Sequence, residues 1–477
     1  MTSQQFDRFA RLAVIACIAL AALIVSLHSV AIPYALWQGD EYDYFHNLRT
    51  QGPAFFWQRL LLWSPRPLSE TAIALYGLAV AHWNRPLIGW ALGIVWSLCA
   101  ILAFGPALLG KGQPFARLFL VAFAAMLVFL GHPVADLHYW PMAAVAHLPV
   151  VAAATGLSLT LIVGKSTPRL EALYLSIAAA SSEAGVFLAG SYLVLRGIGV
   201  TARRESPRDW AWLSLPAILG AIIVWRLMMG RAGMPHPHDT PTQGNALASL
   251  RAAIRPFIHN LLMLQPDEIS AGGTTGGSVR DGVLLKLLIA VGAAALCRAT
   301  GWRPRLSRLA CLVAALMATS FLTIAAADYE FGFLCCQRHE TLRLDFSELI
   351  ALLLGAGAVR FFPSGRDRAL MIACAAMTLF TAETMRWRWP GLHLFLASRA
   401  LEADARQKTW LSGRSAGPLM TMSQGTNSSL FYYWPWEPGD YKAGGPGWDV
   451  QSMMKFFGKQ EVIVRPAMPV SIPTRVH

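Results

Sequence analysis

The sequence is dominated by long stretches that hold no charge. Runs of about 18 to 25 apolar residues recur along it, the length an α-helix needs to cross a hydrocarbon slab of about 30 Å. A water-soluble domain buries its apolar residues in alternating or one-sided patterns and has no use for such runs. Of the 477 residues 55% are hydrophobic and only 14% are Asp, Glu, Lys or Arg, against about a quarter charged in ordinary soluble domains. The expected fold class is therefore an all-α polytopic membrane protein.

The runs fall at 12–33, 86–109, 115–131, 139–163, 170–182, 184–200, 210–229, 283–299, 307–326, 342–360 and 368–386, about eleven transmembrane helices on the length criterion. Ser181–Gly185 reads as a break between the two shortest. The first run follows Arg8 and Arg11, and its apolar part exceeds the roughly 7–15 residues of a signal-peptide core. A retained first helix is expected rather than a cleaved leader. The net charge of +13 lies in short clusters between runs: Arg8/Arg11, Lys111/Arg117, Lys165/Arg169, Arg203/Arg204/Arg208, Arg298–Arg308 and Arg360–Arg368. The short connection His132–His138 has no Lys or Arg. Each of those clusters, on the short inner segments, carries at least two positive charges, which is a topology signal. It places the N-terminus inside and the C-terminus outside, and it removes the reason to invoke nucleic acid.

Three outer segments, 36–84, 230–282 and 387–477, are too long to be mere connectors. The expected organisation is a membrane domain over 1–386, with outer loops 36–84 and 230–282, followed by a small α/β module outside the membrane over 387–477. In the first loop, Pro53–Trp63 and Glu70–Trp83 read as short amphipathic helices lying on the membrane. In the second, a helical Arg251–Gln265 precedes a glycine- and threonine-rich stretch at 271–278. The tail suggests a helix at Ser398–Leu411, a strand at Pro418–Met422, turns at Glu437–Gly439 and Gly444–Gly447, and a closing segment Met453–Val464. None of the seven cysteines forms a CxxC pair, and the adjacent Cys335 and Cys336 are read as reduced. His132, His138, His236 and His238 do not reach the about four ligands of a structural metal site, so no metal is expected from them.

Ionisable residues gather toward the outer helix ends: Arg226, Lys286, Asp328, Glu330, Asp345, Glu348, Glu383 and Arg386, with Glu183 at the break and Arg338, His339, Glu340 and Arg343 in an outer connection. Charge within a membrane chain is costly and marks functional surfaces, although anchoring at the interface accounts for individual members. A coupled transporter holds its polar groups near the midplane, on interrupted helices of repeated halves. No internal repeat is present, and the polarity sits at one face. An enzyme acting on a membrane-anchored substrate fits better, with a polytopic transporter or flippase of lipid-linked or small solutes as the alternative.

The most informative local stretch is Trp37-Gln38-Gly39-Asp40-Glu41-Tyr42-Asp43-Tyr44, directly after the first helix. Its acids can mark a helix N-terminus, where negative charge is favoured, or supply a general base beside an acceptor hydroxyl. With this stretch the sequence resembles the C-type superfamily of membrane glycosyltransferases, which carry an acidic residue or pair in the first outer loop. Trp63-Ser64-Pro65-Arg66-Pro67-Leu68-Ser69 is similar to a Gly-Arg-Pro stretch of bacterial members, with Pro65 in place of glycine. Tyr139-Trp140-Pro141, Ser182-Glu183 (where relatives often have Asn-Glu) and Trp448-Asp449 to Phe456-Phe457-Gly458 extend the likeness. The resemblance implies transfer of a sugar from a polyprenyl-phosphate donor to a glycan, lipid or protein acceptor on the outer face of the cytoplasmic membrane, with inversion. A polymerase or ligase of lipid-linked glycans would share that geometry. Asp40 would be the base, and Glu41 or Asp43 would orient the acceptor or bind a divalent cation. The leaving phosphate needs bidentate, permanently charged donors: Arg338 and Arg343 first, with Arg66 and His339 behind them. Arg66 and Glu183 follow from the resemblance as substrate-binding residues, and Trp37, Tyr42 and Trp140 are candidates for stacking on a sugar ring.

Overall fold

The computed structural model describes residues 3–35, 37–109, 113–130, 135–198, 207–231, 242–262, 279–332, 334, 337–361, 365–424 and 438–466. Lys111, His132, Arg203, Arg204, His236, His238, the 271–278 stretch, Cys335, Cys336 and Glu437 lie outside them.

Helices dominate. In chain order they are α1 (Ser3–Val30), α2 (Gly39–Gln51), α3 (Pro53–Gln58), α4 (Pro67–Trp83), α5 (Ile88–Leu108), α6 (Pro114–Leu130), α7 (Ala135–Tyr139), α8 (Pro141–Ile162), α9 (Pro168–Ser181), α10 (Glu183–Ile198), α11 (Pro207–Arg231), α12 (Ala246–Ala252), α13 (Ile254–Leu262), α14 (Val279–Thr300), α15 (Leu306–Phe331), α16 (Gln337–Gly357), α17 (Arg366–Arg414) and α18 (Trp448–Phe457). Among the described residues, seven helices are long and apolar enough to cross a membrane: α1, α5, α8, α11, α14, α15 and the first part of α17. The chain has the build of a multi-pass membrane protein. The four other stretches expected to cross are also helical, but α6, α9 and α10 are short and α16 is too polar in its first half.

Local chemistry accounts for several boundaries. Trp140, preceding Pro141, is extended at φ −101° and ψ 114°, as the residue before proline prefers, and Pro141 opens α8 at the position where its missing N–H costs nothing. Between α9 and α10, Ser182 is extended at φ −160° and ψ 168°, and the chain folds back so closely that a Cβ on Gly185 would overlap the carbonyl of Ala178. Only glycine fits this reversal. At the opposite end of the bundle, the fully buried Glu171 of α9 pairs with Arg196 of α10 and with Arg308 of α15 at 3.0 Å. It also accepts from Tyr192 at 3.2 Å and from Ser166. A buried carboxylate needs this full set of partners to offset its desolvation.

Two features depart from the expected organisation. α17 runs unbroken for 49 residues, roughly 74 Å at 1.5 Å per residue. It passes straight through residue 386 and Pro390-Gly391. Its far end meets a three-stranded sheet ordered β1-β3-β2, with β1 (Leu419–Ser423) parallel to β3 (Glu461–Arg465) and β2 (Gly439–Lys442) antiparallel to it. The expected strand near 418–422 is present, and β2 lies between the two expected turns. This module packs on α2 through Trp37, Tyr42, Phe45, Tyr76 and Phe456. Arg49 donates to the Phe456 carbonyl at 2.7 Å.

The second departure is α16, most of whose length is buried. Leu342, Leu344, Phe346, Leu349, Leu352 and Leu353 are buried, and so are Glu340, Arg343, Asp345 and Glu348. Glu348 stands eleven residues into the helix, roughly 16 Å from its start. Polarity thus reaches deeper than the sequence pattern indicates.

Candidate functional site

The acidic stretch after α1 divides into two roles. Glu41 is the third residue of α2, and its carboxylate reaches back to accept from the backbone N–H of Gln38 at 2.9 Å, one half of a capping box. The same carboxylate accepts from the Trp140 indole at 2.7 Å and from the Met142 backbone N–H at 3.3 Å. It is fully buried. Burial pushes its pKa up to about 8, against the three hydrogen bonds, with neighbouring Asp40 raising it further. With N–H donors on both oxygens, Glu41 has no face for an acceptor or a cation. It ties α2 to the start of α8. The helix-terminus reading is the one this geometry shows for Glu41.

Asp40 sits one residue earlier on α2, and its side chain is half-buried. Burial raises its pKa above the usual carboxylate value, Arg338 and Arg59 oppose the rise, and Asp43 one turn on adds to it. A carboxylate so placed is a stronger base than a solvated one, as a general base must be. Asp43 is also half-buried and stands beside it rather than in a separate site.

Arg338, at the start of α16, closes the arrangement. Its guanidinium lies over the Trp140 ring, 4.7 Å from the centroid, a contact worth about 0.5–2 kcal/mol. Burial disfavours its charge, while Asp40 and then Asp136 favour it. Trp140 is therefore held by Glu41 at its N–H and carries Arg338 on its face, rather than standing open to stack on a sugar. Trp37 and Tyr42 are likewise committed: they pack edge-on to one another and to Phe456.

Asp136, on the short helix α7, joins this group without having been expected there. It is buried, accepts from Gln38 Nε2 at 3.5 Å, and burial pushes its pKa up to about 6, opposed by Arg338 and by Gln38. Its one sequence signal is an acid just before Tyr139-Trp140-Pro141 in an otherwise uncharged connection. Arg59, also unanticipated, lies in a turn of π-helix at Arg59–Trp63. It holds Glu70 through two hydrogen bonds of 3.2 Å and covers the Tyr44 ring. Single π-turns inserted in helices are common at functional sites.

Arg66 and Glu183 meet directly at 2.5 Å, both partly exposed. The neighbouring Ser69 hydroxyl donates to the Ser181 carbonyl at 2.8 Å, fixing the start of α4 on the α9–α10 break. His339 makes an edge contact with His147 of α8, ring centroids 4.9 Å apart, and Arg66 and Arg338 both act electrostatically on His147. Asp40, Asp43, Arg66, Glu183, Arg338 and His339 thus share one end of the bundle. Arg343 does not join them. Five residues beyond Arg338 it points about 140° around the helix, where it is buried, donates to Asn260 Oδ1 at 2.8 Å and attracts Asp328.

Among the described residues, no group of three or more His, Cys, Asp or Glu is placed to share a metal ion. Comparison with family models, curated proteins and solved structures returns no match.

Proposed function

We propose that this chain is a membrane glycosyltransferase that moves a sugar from a polyprenyl-phosphate donor to an acceptor hydroxyl outside the cytoplasmic membrane, crossing the bilayer eleven times with its N-terminus inside. The observation that carries the reading is Asp40: a half-buried carboxylate whose burial raises its basicity, in the field of a guanidinium that is itself fixed on Trp140. Asp40 accepts the proton of the attacking hydroxyl as its oxygen bonds to the anomeric carbon. The bond from that carbon to the phosphate oxygen breaks, and the electron pair leaves with the phosphate toward Arg338. Attack and departure on opposite faces invert the anomeric centre. A fixed positive charge where the leaving group becomes negative lowers the barrier without any rearrangement during the step, and such preorganised electrostatics usually outweigh a site's other contributions.

The test is sugar transfer in proteoliposomes with a labelled polyprenyl-phosphate sugar. Asp40→Asn should lower transfer at least 100-fold, within the range expected for a lost general base, with unchanged membrane insertion. Unchanged transfer would sink the assignment. One observation favours the transporter reading: Glu348, buried in α16, has Lys286 of α14 as an electrostatic partner. That reading expects solute flux across the same liposomes without any sugar transfer, and the glycosyltransferase reading expects the reverse.

A further inference from the structure

The helices α12 and α13 follow α15 away from its Phe331 end and into the depth of the bundle. Asn245 caps α12 by accepting from the Ala248 N–H at 3.1 Å. Just ahead of it, Gly244 donates to the Tyr329 carbonyl at 2.9 Å and Gln243 to the Glu330 carbonyl at 2.7 Å. Further on, Ala253 is buried with Ile324, Ala325 and Ala327, and Phe257 meets Phe321 edge-on, ring centroids 5.7 Å apart. Nine residues of α15 separate Glu330 from Phe321, so the pair descends roughly 13 Å beside it. α15 is long and apolar enough to cross a membrane. A descent of that depth passes the headgroup layer, about 5–8 Å on each side, and enters hydrocarbon.

Ser249, Ala253, Pro256 and Asn260 line the buried side of the pair. Opposite them run Leu247, Leu250, Ile254, Ile258 and Leu262, each 40–59% exposed, at the three- and four-residue spacing of one helical face. Arg251 and Arg255 stand on that exposed side, and neither pairs with any group among the described residues. Arginine at this depth is costly unless its head reaches the interface. Helical side chains tilt toward the N-terminus, here toward the Glu330 end, so both guanidiniums rise to the headgroup layer. They lie one turn apart, Cβ atoms about 5–6 Å from each other, and each can grip phosphate through two parallel N–H bonds. A zwitterionic headgroup brings its own ammonium to compete for that phosphate. An anionic one does not.

We infer that Leu247, Leu250, Arg251, Ile254, Arg255 and Ile258 form a docking surface for an anionic phospholipid. Its acyl chains lie along the leucines and isoleucines, and its phosphate sits on the two arginines. The site is independent of the proposed sugar transfer. On the other side of α13, Asn260 accepts from Arg343 of α16, so the lipid steadies a helix that holds α16.

The test titrates full-length protein in detergent micelles with dioleoyl phosphatidylglycerol or dioleoyl phosphatidylcholine and counts bound lipid by native mass spectrometry. The wild type should hold phosphatidylglycerol at least about tenfold more tightly. Each arginine beside an anionic lipid is worth about fivefold, so Arg251→Ala/Arg255→Ala should weaken phosphatidylglycerol roughly 25-fold and phosphatidylcholine little. Arg399→Ala/Lys408→Ala removes two exposed cations elsewhere and should bind as wild type. Equal affinity for the two lipids, an unchanged Arg251/Arg255 variant, or an equal loss in the Arg399/Lys408 variant would overturn the site. A dimeric wild type that turns monomeric on Ile258→Asp, with lipid binding unchanged, would overturn it too and give the face to a second copy.

Discussion

Glu41 offers the sharpest separation of a positioning role from a catalytic one. Glu41→Ala strips the acceptor from the Trp140 indole at 2.7 Å, the Gln38 N–H at 2.9 Å and the Met142 N–H at 3.3 Å. A buried donor left unpaired costs about 1–3 kcal/mol. The long Met142 contact contributes little, so the two shorter ones set the total at about 2–6 kcal/mol. Glu41→Gln keeps one carbonyl acceptor and should cost about 1–2 kcal/mol on the same reasoning. The sign of the pH dependence follows from burial. With its folded pKa raised from 4.5 to about 8, Glu41 prefers its proton in the folded state. That contribution is fully present below pH 4.5 and is lost as pH rises through 8. The melting temperature of the wild type should therefore decline across this window, and Glu41→Gln should flatten the decline. Thermal melting in detergent at one fixed scan rate ranks the variants even where unfolding is irreversible. The expected order is wild type and Asp40→Asn together, then Glu41→Gln, then Glu41→Ala, with residual sugar transfer in Glu41→Gln. Glu41→Ala melting within 1 °C of wild type, with transfer as dead as in Asp40→Asn, would refute the argument and return Glu41 to the chemistry.

Asp136 titrates near 6 and, when ionised, supports the charge of Arg338. The KM for the donor should rise as pH falls through about 6, and Asp136→Asn should make it high and independent of pH, read from steady-state transfer. Glu171→Gln should destabilise by about 3–5 kcal/mol, because it removes the carboxylate charge facing the buried Arg196 and the partly buried Arg308; a melt equal to wild type would contradict the network. Gly185→Leu should prevent the α9–α10 reversal and abolish accumulation of folded protein in the membrane, whereas Gly190→Leu, where a Cβ meets nothing within 4 Å, should be tolerated.

Much of this was legible locally. An uncharged run of spanning length is helical whatever surrounds it, because a backbone in hydrocarbon must satisfy its own hydrogen bonds, and the seven long apolar helices among the described residues all fall on expected runs. The Gln38–Glu41 spacing of a helix cap, the Trp140-Pro141 helix start and the Ser182 break are each decided by neighbours a few residues away. Other features carried no local mark. A leucine facing lipid and one facing another helix read alike, so nothing along 337–357 announces that α16 lies at the centre of the bundle with its acids and bases enclosed. Nor could spacing say which of the two adjacent acids is sealed: Glu41 lost its freedom to Trp140, 99 residues away. Arg338 met Asp40 across nearly the length of the membrane domain, and Arg343 turned away from it by the pitch of one helix. Hydrogen-bonding periodicity and hydrocarbon thickness act along the chain and are written in the sequence. The environment that makes one carboxylate a cap and the next a candidate base exists only where distant segments exclude water together.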